Sequence, residues 1–230
     1  MEDIEKQKTG AVIVAAGSSE RMGGTDKMFA VLDGKPVLAR VIEVFQACDR
    51  IGDIVVVLNQ QNLEEGKRLV SKGKWSKVKD VCEGGKRRQD SVLNGLNCLG
   101  ECDWVVIHDG ARPLVTAELI ENGLDTAEET GAAIAAVPVT DTIKMAADNL
   151  TIQGTPPRQS LWAAQTPQVF RYDIITNAYR KLKYEVTDDA RAVELMGGSV
   201  RIYHGSNDNI KITLPEDLAV AEILLKKRVT

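Results

Sequence analysis

Four short apolar runs, at residues 11–15, 54–58, 104–107 and 132–137, constrain this chain more than any other feature of it. They are rich in small and β-branched residues and do not alternate with polar ones, which is how strands buried on both faces of a parallel sheet read. Parallel neighbours need a crossover between them, and segments of helical period fill the gaps. "PVLARVIEVFQAC" sets Val37, Val41, Val44 and Phe45 on one stripe behind Pro36, and "TAELIENGLDTAEETG" opens at a Thr116 cap and closes at Gly131. "DSVLNGLNCL" follows a glycine-rich loop. The alternation predicts an α/β fold, a doubly wound, mostly parallel sheet with helices on both sides.

The rhythm breaks once, in the proline-punctuated stretch "PVTDTIKMAADNLTIQGTPPRQSLWAAQTP". Two strand-like pieces flank an "ADN" turn within it. A structureless loop of that length is uncommon in a compact domain. The expectation is a single domain over 1–230 in which residues 138–165 form a β-arm that packs on another subunit. After it the α/β pattern resumes with "DIITNAYRKLK", "TDDARAVELMGG", a strand at 200–204 and a last helix "PEDLAVAEILLKK".

Composition narrows the function. A net charge of −4, with 43% apolar and 27% charged residues, gives an ordinary globular balance and no global positive field for a nucleic acid. The polar start "MEDIEKQKTG" carries no apolar run and no window has membrane-spanning length, so no membrane contact and a cytoplasmic location are expected. Cys48, Cys82, Cys98 and Cys102 lack CxxC spacing and there are two histidines, so neither a zinc site nor a disulfide framework is suggested.

The first strand runs into "AAGSSERMGGTDK", at the carboxyl edge where such sheets bind ligands. The loop is not a Rossmann fingerprint, because Ser19 stands two residues after Gly17, and not a P-loop, because Met22 stands where the second glycine belongs. Small residues at Ala15, Ala16 and Gly17 let backbone N–H groups approach an anion, while Arg21 and Lys27 supply long cations. Phosphoryl and nucleotidyl transfer ask for that combination, since they need positioning and charge stabilisation. "EGGKRRQDSV" repeats paired glycines, cations and a hydroxyl, Ser91, at a helix start. "VVIHDGARP" ends a strand with Asp109 at its tip and Arg112 just beyond. A carboxylate there can hold a metal or a polyol hydroxyl, although helix capping is its commoner role.

In order and over nearly the whole chain, "AAGSSERM…DK", "GGKRRQDSV", "HDGARP", "VPVTDTIK", "LWAAQTPQVF", "TDDARAVE" and "NIKITLPEDLAVAE" resemble the 2-C-methyl-D-erythritol 4-phosphate cytidylyltransferases of the non-mevalonate isoprenoid pathway. The resemblance implies transfer of the cytidyl group of CTP to a sugar-alcohol phosphate with loss of pyrophosphate, Mg²⁺ assisting. It assigns Arg21 and Lys27 to the CTP α-phosphate as catalytic cations. Ala15, Ala16, Gly17 and Ser18 would line triphosphate and base, and Gly85, Arg88 and Ser91 would hold the cytosine and nucleotide. Asp109 and Arg112 would bind the methylerythritol moiety, with Asp109 near the metal. Thr142 and Arg158, in an arm crossing to the other subunit of a homodimer, would grip the acceptor phosphate with Lys211. No general base is required, because a phosphate monoester loses its second proton near pH 6. His108 and His204 are accordingly expected to be structural. Two rivals stay open at this point: a ribitol 5-phosphate cytidylyltransferase, and a module that binds CTP without turnover.

Overall fold

A computed structural model describes residues 7–17 and 26–228. Strand β1 (Thr9–Ala15) lies in the interior of the main sheet and is followed by a small hairpin, β2 (Val31–Leu32) and β3 (Lys35–Pro36), whose turn places Asp33 and Gly34 at positive φ. Then come α1 (Val37–Ala47), β4 (Asp53–Leu58), α2 (Leu63–Gly73), β5 (Val78–Glu83), α3 (Arg88–Leu99), β6 (Trp104–Asp109), α4 (Ala117–Thr130) and β7 (Ala132–Pro138). The arm holds β8 (Met145–Ala146) and β9 (Ile152–Gly154). The chain ends with β10 (Trp162–Arg171), α5 (Tyr172–Lys181), α6 (Asp189–Leu195), β11 (Arg201–His204) and α7 (Pro215–Lys227).

The main sheet runs β11-β7-β10-β6-β1-β4-β5. Its pairs are parallel except at β10, which is antiparallel to both β6 and β7. Alternation along β1 sorts the core into two layers. Ala11, Ile13 and Ala15 face α1 and α4, where Leu38, Phe45, Ile120 and Leu124 are buried. Val12 faces the opposite way, onto Val92 and Leu96 of α3 and, further along that layer, Ile175 of α5 and Val193 of α6. Helix α3 packs very closely: a Cβ built on Gly95 would stand 2.5 Å from a Val12 methyl and 2.8 Å from one of Val57. A side chain there would push the helix, and the loop that starts it, off the sheet. A third cluster seats α7 on the β2–β3 hairpin through Leu32, Val37, Leu114, Ile212 and Ala221.

Local signals explain the helix ends. The Thr116 hydroxyl accepts from the Leu119 N–H at 3.2 Å, and Gly131 takes φ +81° at the other end of α4, as the sequence predicts. Strand β10 was not legible as one element. Its outer part pairs Trp162 with Pro138 and Ala164 with Ala136, its inner part pairs Gln168 with Ile134, and the register shifts between them. Of segment 138–165, therefore, the two ends belong to the main sheet, and the β8–β9 hairpin projects between them with Met145, Leu150 and Ile152 exposed.

A candidate nucleotide-transfer cleft at the switch point of the sheet

Strand order reverses between β1 and β6, and the loops leaving the carboxyl ends of β1, β5 and β6 diverge there. Among the described residues they enclose a cleft of about 380 Å³. Nine of the residues singled out from sequence line it: Ala15, Ala16, Gly17, Lys27, Gly85, Arg88, Ser91, Asp109 and Lys211. Arg112 lies beside it, 3.8 Å from the Asp109 carboxylate. Arg21 and Ser18 lie outside the described residues. Thr142 and Arg158 sit exposed on the arm and are not part of this chain's cleft wall; the Arg158 guanidinium donates to the Thr140 carbonyl at 2.8 Å.

Each wall is built by backbone first. The Gly84 N–H continues the sheet ladder onto the Leu58 carbonyl at 2.7 Å, and the Gly110 N–H does the same onto Val14 at 2.8 Å. A Cβ on Gly84 would lie 2.5 Å from that of Ala16, and one on Gly85 would lie 2.3 Å from that of Asp90, so this turn closes only on glycine. The Ser91 hydroxyl accepts from the Gly85 N–H at 3.1 Å and contacts the Arg87 carbonyl at 3.2 Å, which fixes the loop on the first turn of α3. Across the cleft, Asp26 ends the first loop: one carboxylate oxygen accepts from the Met28 N–H at 2.8 Å and the other from the Asn62 side-chain amide. Its charge is thereby taken up locally, next to Lys27.

Asp109 is the electrostatic centre. Lys211 Nζ reaches one of its oxygens at 2.8 Å, Arg88 Nη2 the other at 3.4 Å, and Arg112 Nε stands 3.8 Å away. Burial alone would raise the carboxyl pKa, but these cations outweigh it and hold Asp109 well below the usual carboxylate range. Arg88 is itself gripped from behind. Asp189, fully buried at the start of α6, accepts from both of its terminal nitrogens at 2.7 Å and also from the Tyr179 hydroxyl. Burial works against the Arg88 charge, yet Asp189 and then Asp109 raise its pKa above the ordinary arginine value. The neighbouring cations Lys86 and Arg87 also line the cleft, and Arg87 is paired with Asp90 at 2.7 Å.

His108 is structural, as expected. Its Nε2 lies 3.2 Å from the Arg112 carbonyl, which can only accept, so that nitrogen carries the proton. Nδ1 then accepts from the Thr166 hydroxyl at 3.0 Å, and the same hydroxyl oxygen accepts from the Asp109 N–H at 3.0 Å. Burial lowers the His108 pKa to about 4, which keeps the ring neutral. Lys211 is placed by Asn209, whose side-chain amide donates to the Thr166 carbonyl at 2.8 Å and whose own carbonyl accepts from Arg112 at 2.7 Å. Asp189, Thr166 and Asn209 are site residues that no sequence motif singles out by itself. "TDDARAVE" does offer a signal for Asp189, because Asp188 alone suffices to cap α6, accepting from the Arg191 N–H at 3.0 Å.

The described residues hold no group of three His, Cys, Asp or Glu side chains arranged to bind a metal ion. Among the described residues of the cleft wall Asp109 is the single carboxylate, and both its oxygens already face cations.

A doubly wound sheet whose switch-point loops set cations on two sides of one cleft, with glycine turns for close backbone approach, defines an α/β enzyme that handles phosphorylated nucleotides. The chain belongs to the 2-C-methyl-D-erythritol 4-phosphate cytidylyltransferase (IspD) family, whose sequence model matches residues 9–227. A relative of that name from Dehalococcoides mccartyi is 53% identical over 221 residues, covering 96% of this chain and 97% of the relative. Another, from Alkaliphilus oremlandii, is 46% identical over 234 residues, with 99% and 98% covered. The crystal structure of 4-diphosphocytidyl-2C-methyl-D-erythritol synthase from Anaerococcus prevotii matches this fold with a TM-score of 0.84 at 28% identity, over 96% of this chain and all of that one.

Proposed function

We propose that this chain transfers the cytidyl group of CTP to 2-C-methyl-D-erythritol 4-phosphate, releasing pyrophosphate and giving 4-diphosphocytidyl-2-C-methylerythritol for isoprenoid precursor synthesis. The observation that carries the reading is family membership over nearly the full chain, with the cleft in the place where the family's motifs converge.

The acceptor's phosphate dianion attacks the CTP α-phosphorus and pyrophosphate leaves. Two anions must therefore be held close together, and the cleft answers with cations on both sides. Lys27, and Arg21 from the motif match, serve the α-phosphate as its negative charge grows in the five-coordinate transition state. Ala15, Ala16, Gly17 and Ser18 offer backbone N–H groups to the triphosphate and base. Gly85, Arg88 and Ser91 form the nucleotide side of the α3 loop. The ionised Asp109 accepts acceptor hydroxyls, with Arg112 beside it and Lys211 on the acceptor phosphate. Thr142 and Arg158 complete this half from the arm of a second subunit. Mg²⁺ would enter on the triphosphate, since the described side chains do not form a metal cage. No described helix is long and apolar enough to cross a membrane; the proposed setting is the cytoplasm, where small phosphorylated substrates of this kind are met.

The test is pyrophosphate release from CTP and Mg²⁺ with methylerythritol phosphate, with ribitol 5-phosphate, and with no acceptor. Release confined to the methylerythritol arm is expected. Preference for ribitol phosphate would move the reading to the other acceptor, and binding of CTP without release would remove the enzymatic reading.

A further inference from the structure

Among the described residues, the most deeply buried charge near the cleft belongs to a residue that does not line it. Asp189 has no exposed surface, and its carboxylate takes three donors: both terminal nitrogens of Arg88 and the hydroxyl of Tyr179. The residues on either side of it are clamped by one buried side chain of β10. Gln168 donates to the Asp188 carboxylate at 3.1 Å and accepts from the Ala190 N–H at 3.0 Å. Asp189 is therefore held by a fixed element, and it holds a guanidinium whose Nη2 faces two carboxylates, Asp189 at 2.7 Å and Asp109 at 3.4 Å.

That geometry gives Arg88 an orienting part. Two of its donors are consumed behind the cleft, and the third direction it offers is toward Asp109. A fork-to-fork arginine–carboxylate pair fixes both position and plane, which a lone arginine on a helix N-terminus would not have. We infer that Asp189 is a positioning residue for the acceptor half of the cleft: it locks Arg88, and Arg88 together with Lys211 sets the orientation of the Asp109 carboxylate that receives the acceptor's hydroxyls. The inference rests on the cytidyl-transfer reading given above. A buried ion pair is by itself a weak stabiliser, because desolvation offsets its attraction, so the pair is better explained by the carboxylate it orients than by fold stability.

The experiment measures KM and kcat for CTP and for methylerythritol phosphate in the native enzyme, Asp189→Asn, Asp189→Glu and the double variant Arg88→Met/Asp189→Leu, each with its melting temperature. Asp189→Asn keeps the shape and a partner for Tyr179 but releases Arg88. It is expected to raise the acceptor KM roughly 10-fold, as loss of a group that orients a ligand-holding side chain does. The CTP KM should rise as well, because Arg88 also serves the nucleotide side, but several-fold less than the acceptor KM, and Asp189→Glu should recover part of the acceptor loss. The double variant replaces the pair by apolar side chains, which a buried site tolerates in stability, so it reports on acceptor binding even where the single variant is poorly folded. A native acceptor KM in the folded double variant, or equal losses for both substrates in Asp189→Asn, would overturn the positioning role. An inactive native protein would instead overturn the reading of the cleft.

Discussion

At the level of single residues, the cleft separates charges that act from charges that are kept out of action. His108 is the clearest case of the second kind. Its ring is neutral, satisfied at both nitrogens, fully buried and tilted against Phe45 with centroids 5.3 Å apart. The unfolded chain takes a proton on this residue near pH 6.5, whereas the native protein resists until about pH 4. Between those values the unfolded state binds more protons, so stability falls as pH falls, by on the order of 3 kcal/mol across the window. Asp109 works in a lower range. Its folded carboxyl is depressed, so what it contributes is lost only as pH drops below about 4. Urea midpoints at pH 7 and pH 4.5 should therefore drop steeply for the native protein and much less for His108→Gln; parallel drops would remove His108 as the cause. Lys27 is of the first kind. Lys27→Ala should cut turnover roughly 100-fold while moving the CTP KM far less, as loss of a transition-state cation does. Equal losses in both would make Lys27 a ground-state binder.

Among the elements, the α3 loop is the part most sensitive to a single atom. Gly84→Ala places a methyl 2.5 Å from Ala16 and 2.7 Å from the Ser91 hydroxyl, between two walls of the nucleotide side. Overpacking of this kind costs about 1–3 kcal/mol. We expect it to appear as weaker CTP binding by titration calorimetry, with the acceptor KM nearly unchanged; native CTP affinity would mean that the walls separate freely. The strands and helices that could be read from sequence are those with their cause inside themselves, such as the apolar run of β6 or the Thr116 cap and Gly131 stop of α4. Strand β10 could not be read that way. Thr166, Pro167 and Gln168 interrupt its apolar pattern, and what makes it a strand is pairing with β6 and β7. Asp189 was hidden for the same reason. Its partner Arg88 lies 101 residues earlier, and the sequence marks Asp189 only as an acidic residue beyond the Asp188 cap, without saying what it pairs with. The cations of the cleft were legible as types, whereas their division into ligand, orienter and surface pair was not, because Asp90, Asp109 and Asp189 decide it from other elements.

For the molecule as a whole, the question is whether one chain holds a complete site. Arg158 and Thr142 stand on the exposed arm, outside the cleft of their own chain. On the shared-site proposal, Arg158→Ala and Lys27→Ala dimers are each inactive at both sites. Mixing and re-assorting them yields hybrids with one site carrying both native residues. Half the dimers would be hybrids, so activity should return to about a quarter of the native value. No recovery, or an active monomer in sedimentation, would place Arg158 outside the site.

The ten residues of β10 join two places that otherwise have little to do with each other. One end, Trp162, pairs at the base of the projecting hairpin; within the change of register, Thr166 holds the Asp109 N–H and the His108 ring. One strand thus carries both the root of the arm and the hydroxyl from which the Asp109 N–H hangs, so the backbone that shapes the hairpin and the backbone that seats the central carboxylate are the same ten residues.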